Sequence, residues 1–133
     1  MYKLNVFVIC PNDEQTEKLT TFIASIGQQV DSQSDPLLGL DYIVDNKPQM
    51  VLIYENNKVT TAQDFIIKAS QRKVFSCTTF ILVTDNKISG DDKIRMMTLG
   101  FSHFLHAEFN EVDKNLLEYI IEEEIKFQNR NAA

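Results

Sequence analysis

Reactive side chains are sparse in this sequence, and their spacing limits the chemistry they could share. Cys10 and Cys77 are the only cysteines. Neither has a Cys or His neighbour at zinc-ligand spacing, so we expect two reduced thiols and no metal site. His103 and His106 lie three residues apart in a short apolar run. On a strand an odd spacing sends two side chains to opposite faces, which disfavours a metal pair or catalytic dyad. No Ser–His–Asp arrangement is legible from spacing. The four glycines, Gly27, Gly39, Gly90 and Gly100, all lie away from the first apolar run. The loop after that run, Pro11-Asn12-Asp13-Glu14, is acidic where a phosphate would need donors. A dinucleotide or flavin site is therefore not expected. Asp13, Glu14, Glu55 and Asp85 fall near the ends of apolar runs. They suit either a cation site of non-standard geometry or, more plainly, helix-start carboxylates and a solvated loop. No nucleophile has an evident base, so we expect no enzymatic activity and no cofactor.

These residues are set in a chain of 133 residues with 44% hydrophobic and 24% charged side chains and a formal net charge of −6. That composition predicts one globular domain, residues 1–127, with 128–133 a polar tail that frays or begins a linker. The negative charge disfavours non-specific attachment to nucleic acid or anionic membrane. No apolar run reaches the roughly 18–20 residues that span a bilayer. A cytoplasmic location is expected.

Short apolar runs alternate with amphipathic segments. Leu4–Cys10 has strand length and composition. Asn12 is placed to cap a helix whose face is Leu19, Phe22, Ile23 and Ile26, with Gly27 as the stop. Gln28–Gln33 reads as a polar edge strand. Pro36 opens a second helix carrying Leu37, Leu40, Ile43 and Val44. Met50–Tyr54 is apolar throughout, as a strand buried on both faces would be. Thr60 or Thr61 caps a third helix with Ala62, Phe65, Ile66 and Ala69 inward. Thr79–Thr84 is a fourth strand. Asp91 begins a fourth helix, with Ile94, Met97 and Leu99 inward and Gly100 its stop. His103–His106 is a fifth strand. Val112, Leu116, Ile120 and Ile121 mark the last helix, with Glu122–Glu124 either a solvated face or a charged rim. Strands separated by helices predict an α/β, flavodoxin-like (βα)5 doubly wound parallel sheet of order 2-1-3-4-5.

Three segments resemble the response-regulator receiver family over most of the chain. Lys47–Tyr54 (KPQMVLIY) is similar to the family's K-P-D-L-V-L-L-D. Thr79–Thr84 is similar to its fourth strand, ending in Ser or Thr. Leu99–Phe109 (LGFSHFLHAEF) is similar to A-G-A-D-D-Y-L-T-K-P-F, with Gly100, Phe104, Leu105 and Phe109 in register. The resemblance implies the receiver fold. It also implies that an acidic pair, a phosphoacceptor Asp, a Ser/Thr and a Lys should stand at fixed positions. Here those positions carry Cys10 and Pro11, Tyr54, Thr84 and Ala107, with Glu108 in place of the usual proline. Thr84 alone persists. Tyr forms no acyl phosphate, a thiol and a proline hold no Mg²⁺, and Ala pairs with no phosphoryl charge. The count from Pro48 puts Tyr54 at the acceptor position. A third strand longer by one residue would put Glu55 there, a fixed negative charge.

The resemblance thus implies a degenerate member: a phosphorylation-independent, receiver-like protein-interaction module. The alternative is a small-molecule-binding domain with its ligand beyond the strand ends, near Cys10, Tyr54 and Thr84. Thr84 and Phe104 match the pair that couples pocket to output face in the family. They are either a retained two-state element or a strand end and a gap-filling ring. Partner proteins in signalling, or a second copy, are expected on the surface formed by helix four, strand five and helix five. Its exposed candidates are Lys93, Arg95, Met96, Phe101 and Tyr119.

Overall fold

The computed structural model describes residues 3–55, 61–72, 78–85 and 88–132. Along the chain the elements are β1 (Asn5–Ile9), α1 (Asp13–Ser25), β2 (Gln29–Gln33), α2 (Pro36–Asn46) and β3 (Met50–Tyr54). They continue with α3 (Ala62–Gln71), β4 (Thr79–Thr84), α4 (Gly90–Leu99), β5 (Phe101–His106) and α5 (Glu111–Ala132). The five strands form one parallel sheet of order β2-β1-β3-β4-β5. The expected fold class and strand order are both present.

Local chemistry explains most of the boundaries. Asn12 Oδ1 accepts from Gln15 N at 2.9 Å, Asp35 Oδ1 from Leu37 N at 2.8 Å, Thr61 Oγ1 from Asp64 N at 3.1 Å and Ser89 Oγ from Asp92 N at 3.2 Å. Each bond satisfies a donor that the first helical turn leaves open. Of the two threonines considered for α3, Thr61 is the cap. Gly27 and Gly100 follow their helices with φ of 88° and 131°, a conformation costly for side chains with a Cβ. Gly39 serves packing instead: a Cβ there would stand 2.9 Å from Ile9 Cδ1, so its absence lets α2 lie close on β1.

Alternation along the central strands divides the core into two layers. Val6, Val8, Met50, Leu52, Ile81 and Val83 face α1 and α5, meeting Leu19, Ile23, Leu117, Ile120 and Ile121. Phe7, Ile9, Val51, Ile53, Phe80 and Leu82 face the other way, meeting side chains of α2, α3 and α4. Each large side chain removed from water here contributes roughly 1.5–3 kcal/mol. Both faces of β3 are buried, as its unbroken apolar run requires.

Several expected details are corrected. In α4, Met96 is the buried residue, while Ile94 and Met97 are 65% and 54% exposed. Apolar residues at 94, 96, 97 and 99 encircle that helix, so periodicity leaves its phase open and contact with α3 and β5 chooses it. The helix also starts at Gly90, one residue before Asp91. The last strand begins at Phe101 rather than His103, with an irregularity opposite Phe80 and Ile81. Phe101 is thereby buried in the α2–α3–α4 layer, not displayed. In α5, Leu117 rather than Val112 or Leu116 points inward beside Ile120 and Ile121. That helix has the bounds Glu111–Ala132. Cys77 and Thr60 lie outside the described residues.

Candidate functional site

Parallel strands all end on one edge of the sheet, and the crevice beyond those ends is where such folds present side chains. Cys10 and Pro11 follow β1, Tyr54 closes β3, Thr84 closes β4 and Ala107 follows β5. The fold therefore brings together the residues singled out from sequence. Cys10 is buried, and its thiol lies 3.5 Å from Asn12 O. Pro11 is exposed. Thr84 and Ala107 are both 4% exposed, and Ala107 N donates to Thr84 O at 2.8 Å, holding the β5 end against β4.

The polar groups at these ends are tied to one another across β3 and β4. Tyr54 lies in register with Val83 as the last residue of β3. Its hydroxyl donates to the Asp85 carboxylate. Glu55 N donates to Val83 O at 2.8 Å, so the ladder runs one residue past the strand. The Glu55 carboxylate then accepts from the Thr84 hydroxyl. Of the two residues weighed at the β3 end, Glu55 is the one in contact with Thr84. Asp13 and Glu14 occupy the first turn of α1. Among the described residues, no three His, Cys, Asp or Glu side chains are grouped to hold a metal ion.

Thr84 and Phe104 are also brought together. With Ile88, Lys93, His106 and Asp113 they line a cavity of about 230 Å³ between the ends of β4 and β5, α4 and the start of α5. Phe104 packs on the α2–α3–α4 layer, and Lys93 Nζ lies 5.7 Å from its ring centroid. Asp113, 8% exposed, accepts from His106 N at 3.0 Å. Asp113 escaped the sequence reading. Its one signal was its place three residues after Asn110, which suggests only helix-start capping, and Asn110 Oδ1 does accept from Asp113 N at 3.4 Å.

The two histidines lie on opposite faces of β5, as their odd spacing requires. His103 stands opposite Ile81, which faces α5, and His106 opposite Thr84, beside the cavity. Burial holds the His103 imidazole below its usual pKa, with Glu124 acting in the opposite direction.

The surface made by α4, β5 and α5 differs in part from expectation. Lys93, Arg95 and Tyr119 are exposed, whereas Met96 and Phe101 belong to the core. The outward apolar residues there are Ile94 and Met97 on α4 and Val112, Leu116, Tyr119 and Phe127 on α5. No described helix is long and apolar enough to cross a membrane.

No protein-family model matches the chain, and no curated protein matches it. Solved structures do. The receiver domain of Francisella response regulator 1452 superposes with a TM-score of 0.82 at 15% identity, covering 95% of this chain and 99% of that one. A CheY-like response-regulator receiver domain from Methanospirillum hungatei JF-1 gives 0.80 at 15% identity, covering 97% and 99%. The chemotaxis response regulator CheY4 of Vibrio cholerae gives 0.80 at 14% identity, covering 90% and 99%. At these identities the likeness is one of fold, and the chain has the receiver fold.

Proposed function

We propose that this chain is a receiver-like signalling module that works by binding proteins and does not carry phosphate. One observation carries the reading: Thr84, the retained hydroxyl at the strand ends, donates to the Glu55 carboxylate of the same chain. A group that would meet a phosphoryl oxygen is thus engaged by a permanent negative charge. The surroundings support this, since Tyr54, Cys10, Pro11 and Ala107 offer neither an acyl-phosphate acceptor nor a matching lysine. Tyr54 and Asp85 are likewise engaged with each other. Those internal bonds favour a closed polar seam over a ligand crevice, and so favour the interaction reading over small-molecule binding. We read the module as non-catalytic and cytoplasmic, taking its partners, or a second copy, on the α4–β5–α5 surface through Lys93, Arg95 and Tyr119.

The test is incubation with acetyl phosphate and Mg²⁺, followed by intact mass, alongside beryllofluoride with Mg²⁺ followed by amide NMR. The expected result is no phosphoryl mass increment and no shift at residues 54, 55 and 84. A stoichiometric adduct would overturn the reading.

A further inference from the structure

Asp113 is nearly buried, yet among the described residues no cation pairs with it. The ion pairs among the described residues are Arg72–Asp41, Arg95–Asp92, Lys114–Glu111 and Lys126–Glu123, and none reaches Asp113. One carboxylate oxygen accepts from His106 N, and the start of α5 offsets part of the charge. A carboxylate lining a cavity can still take a cation that hydrogen-bonds to it, since charge-assisted bonds are stronger than neutral ones. The cavity it lines offers the remaining features of a cation seat. Phe104 supplies an aromatic face, and Lys93, an exposed side chain, already holds its ammonium over that ring at 5.7 Å without bonding to Asp113. The ring face therefore accepts a positive charge, and the group now there is free to swing into solvent.

Size and setting decide what kind of cation fits. At about 230 Å³ the cavity is smaller than the roughly 300–1,000 Å³ of ordinary small-molecule sites. It matches one long side chain. Outside its lining, Met97, one turn along α4 from Lys93, and Leu116, one turn along α5 from Asp113, are apolar and 54% and 39% exposed. A guanidinium suits it better than an ammonium, because it is planar, weakly hydrated, stacks on rings and pairs with a carboxylate through two parallel bonds. We infer that this cavity receives an arginine side chain of a partner protein, seated on Phe104 and paired with Asp113, with apolar neighbours of that arginine lying over Met97 and Leu116. The inference deepens the interaction reading by naming the chemistry of the partner's anchor.

Amide NMR titration tests it, using N-acetyl-arginine methylamide, its lysine and citrulline counterparts, and a short peptide with one Arg between leucines. The arginine compound should shift residues 93, 104, 106 and 113, with citrulline inert and lysine weaker. Asp113→Asn should weaken arginine binding at least about tenfold. Phe104→Leu, which leaves the Asp113 carboxylate in place, should weaken it about 2–5-fold. It stands as the check should Asp113→Asn disturb the His106 contact. Shifts absent, or equal for arginine and citrulline, or unchanged in both variants, would overturn the inference. The leucine-flanked peptide should bind at least about tenfold tighter than the lone arginine compound, and equal affinities would overturn the protein source. The phosphodonor experiment is independent: an adduct there sinks the phosphate-free reading while leaving the arginine seat to stand or fall by titration.

Discussion

The bond between Thr84 and Glu55 is the feature most worth breaking. Thr84→Val keeps the shape of a side chain that is 4% exposed while deleting its donor. A hydrogen bond to a charged acceptor contributes about 1.5–3 kcal/mol. Glu55 is only half-buried, so water competes for its carboxylate and the value belongs at the lower end. We expect Thr84→Val to lower stability by about 1.5 kcal/mol. With an unfolding entropy near 2.1 cal/mol/K per residue over 133 residues, that is a fall in Tm of about 5 °C. Thr84 has further contacts, so a single variant does not isolate the pair. A double-mutant cycle with Glu55→Ala does, and urea unfolding followed by circular dichroism should return a coupling of about 1 kcal/mol. Thr84→Ser, which keeps the donor, should retain most of that coupling. A coupling within about 0.3 kcal/mol of zero would show that the carboxylate does not hold the hydroxyl, and the argument for an internally occupied site would fail.

Other perturbations probe the packing and the titrating groups. Met96→Ala should destabilise by about 2–4 kcal/mol in urea unfolding, whereas Ile94→Ala and Met97→Ala should each stay within about 0.5 kcal/mol; the reverse ranking would mean α4 is rotated. The folded state favours neutral His103, because burial depresses its pKa. Its contribution is complete above the unfolded pKa near 6.5 and is lost as pH falls through the folded value. His103→Gln should flatten stability over that acid range, and Glu124→Gln should move the His103 NMR titration still lower. Burial, and then the hydrogen bond and charge of Asp31, push the Tyr42 phenol up to about 12. Stability should therefore fall as pH rises from about 10 towards 12. Tyr42→Phe should remove one high-pH transition from the ultraviolet titration.

Much of the fold was legible because local chemistry and tertiary structure agree over long stretches. Residues 50–53 and 80–83 are apolar without interruption, and burial on both faces suits such runs. The polar residues of Gln29–Gln33 fit an edge strand, where pairing occurs on one side alone. Asn12, Pro36 and Gly27 each perform a backbone task that few residue types perform well. The identities of Cys10, Pro11, Tyr54 and Ala107 were likewise readable before any coordinate, and the fold places them at the strand ends.

What the tertiary structure decided is direction and partnership. The phase of α4 followed from contact with α3 and β5, since apolar side chains surround the helix and its own periodicity favours no face. Phe101 was drawn into the core by a strand that begins earlier than its apolar run suggests. The union of Thr84 with Glu55, and of Asp113 with His106 and Phe104, joins residues from different elements. Sequence spacing carries no record of such contacts, because it reports periodicity within one element and not which side chains two elements bring face to face.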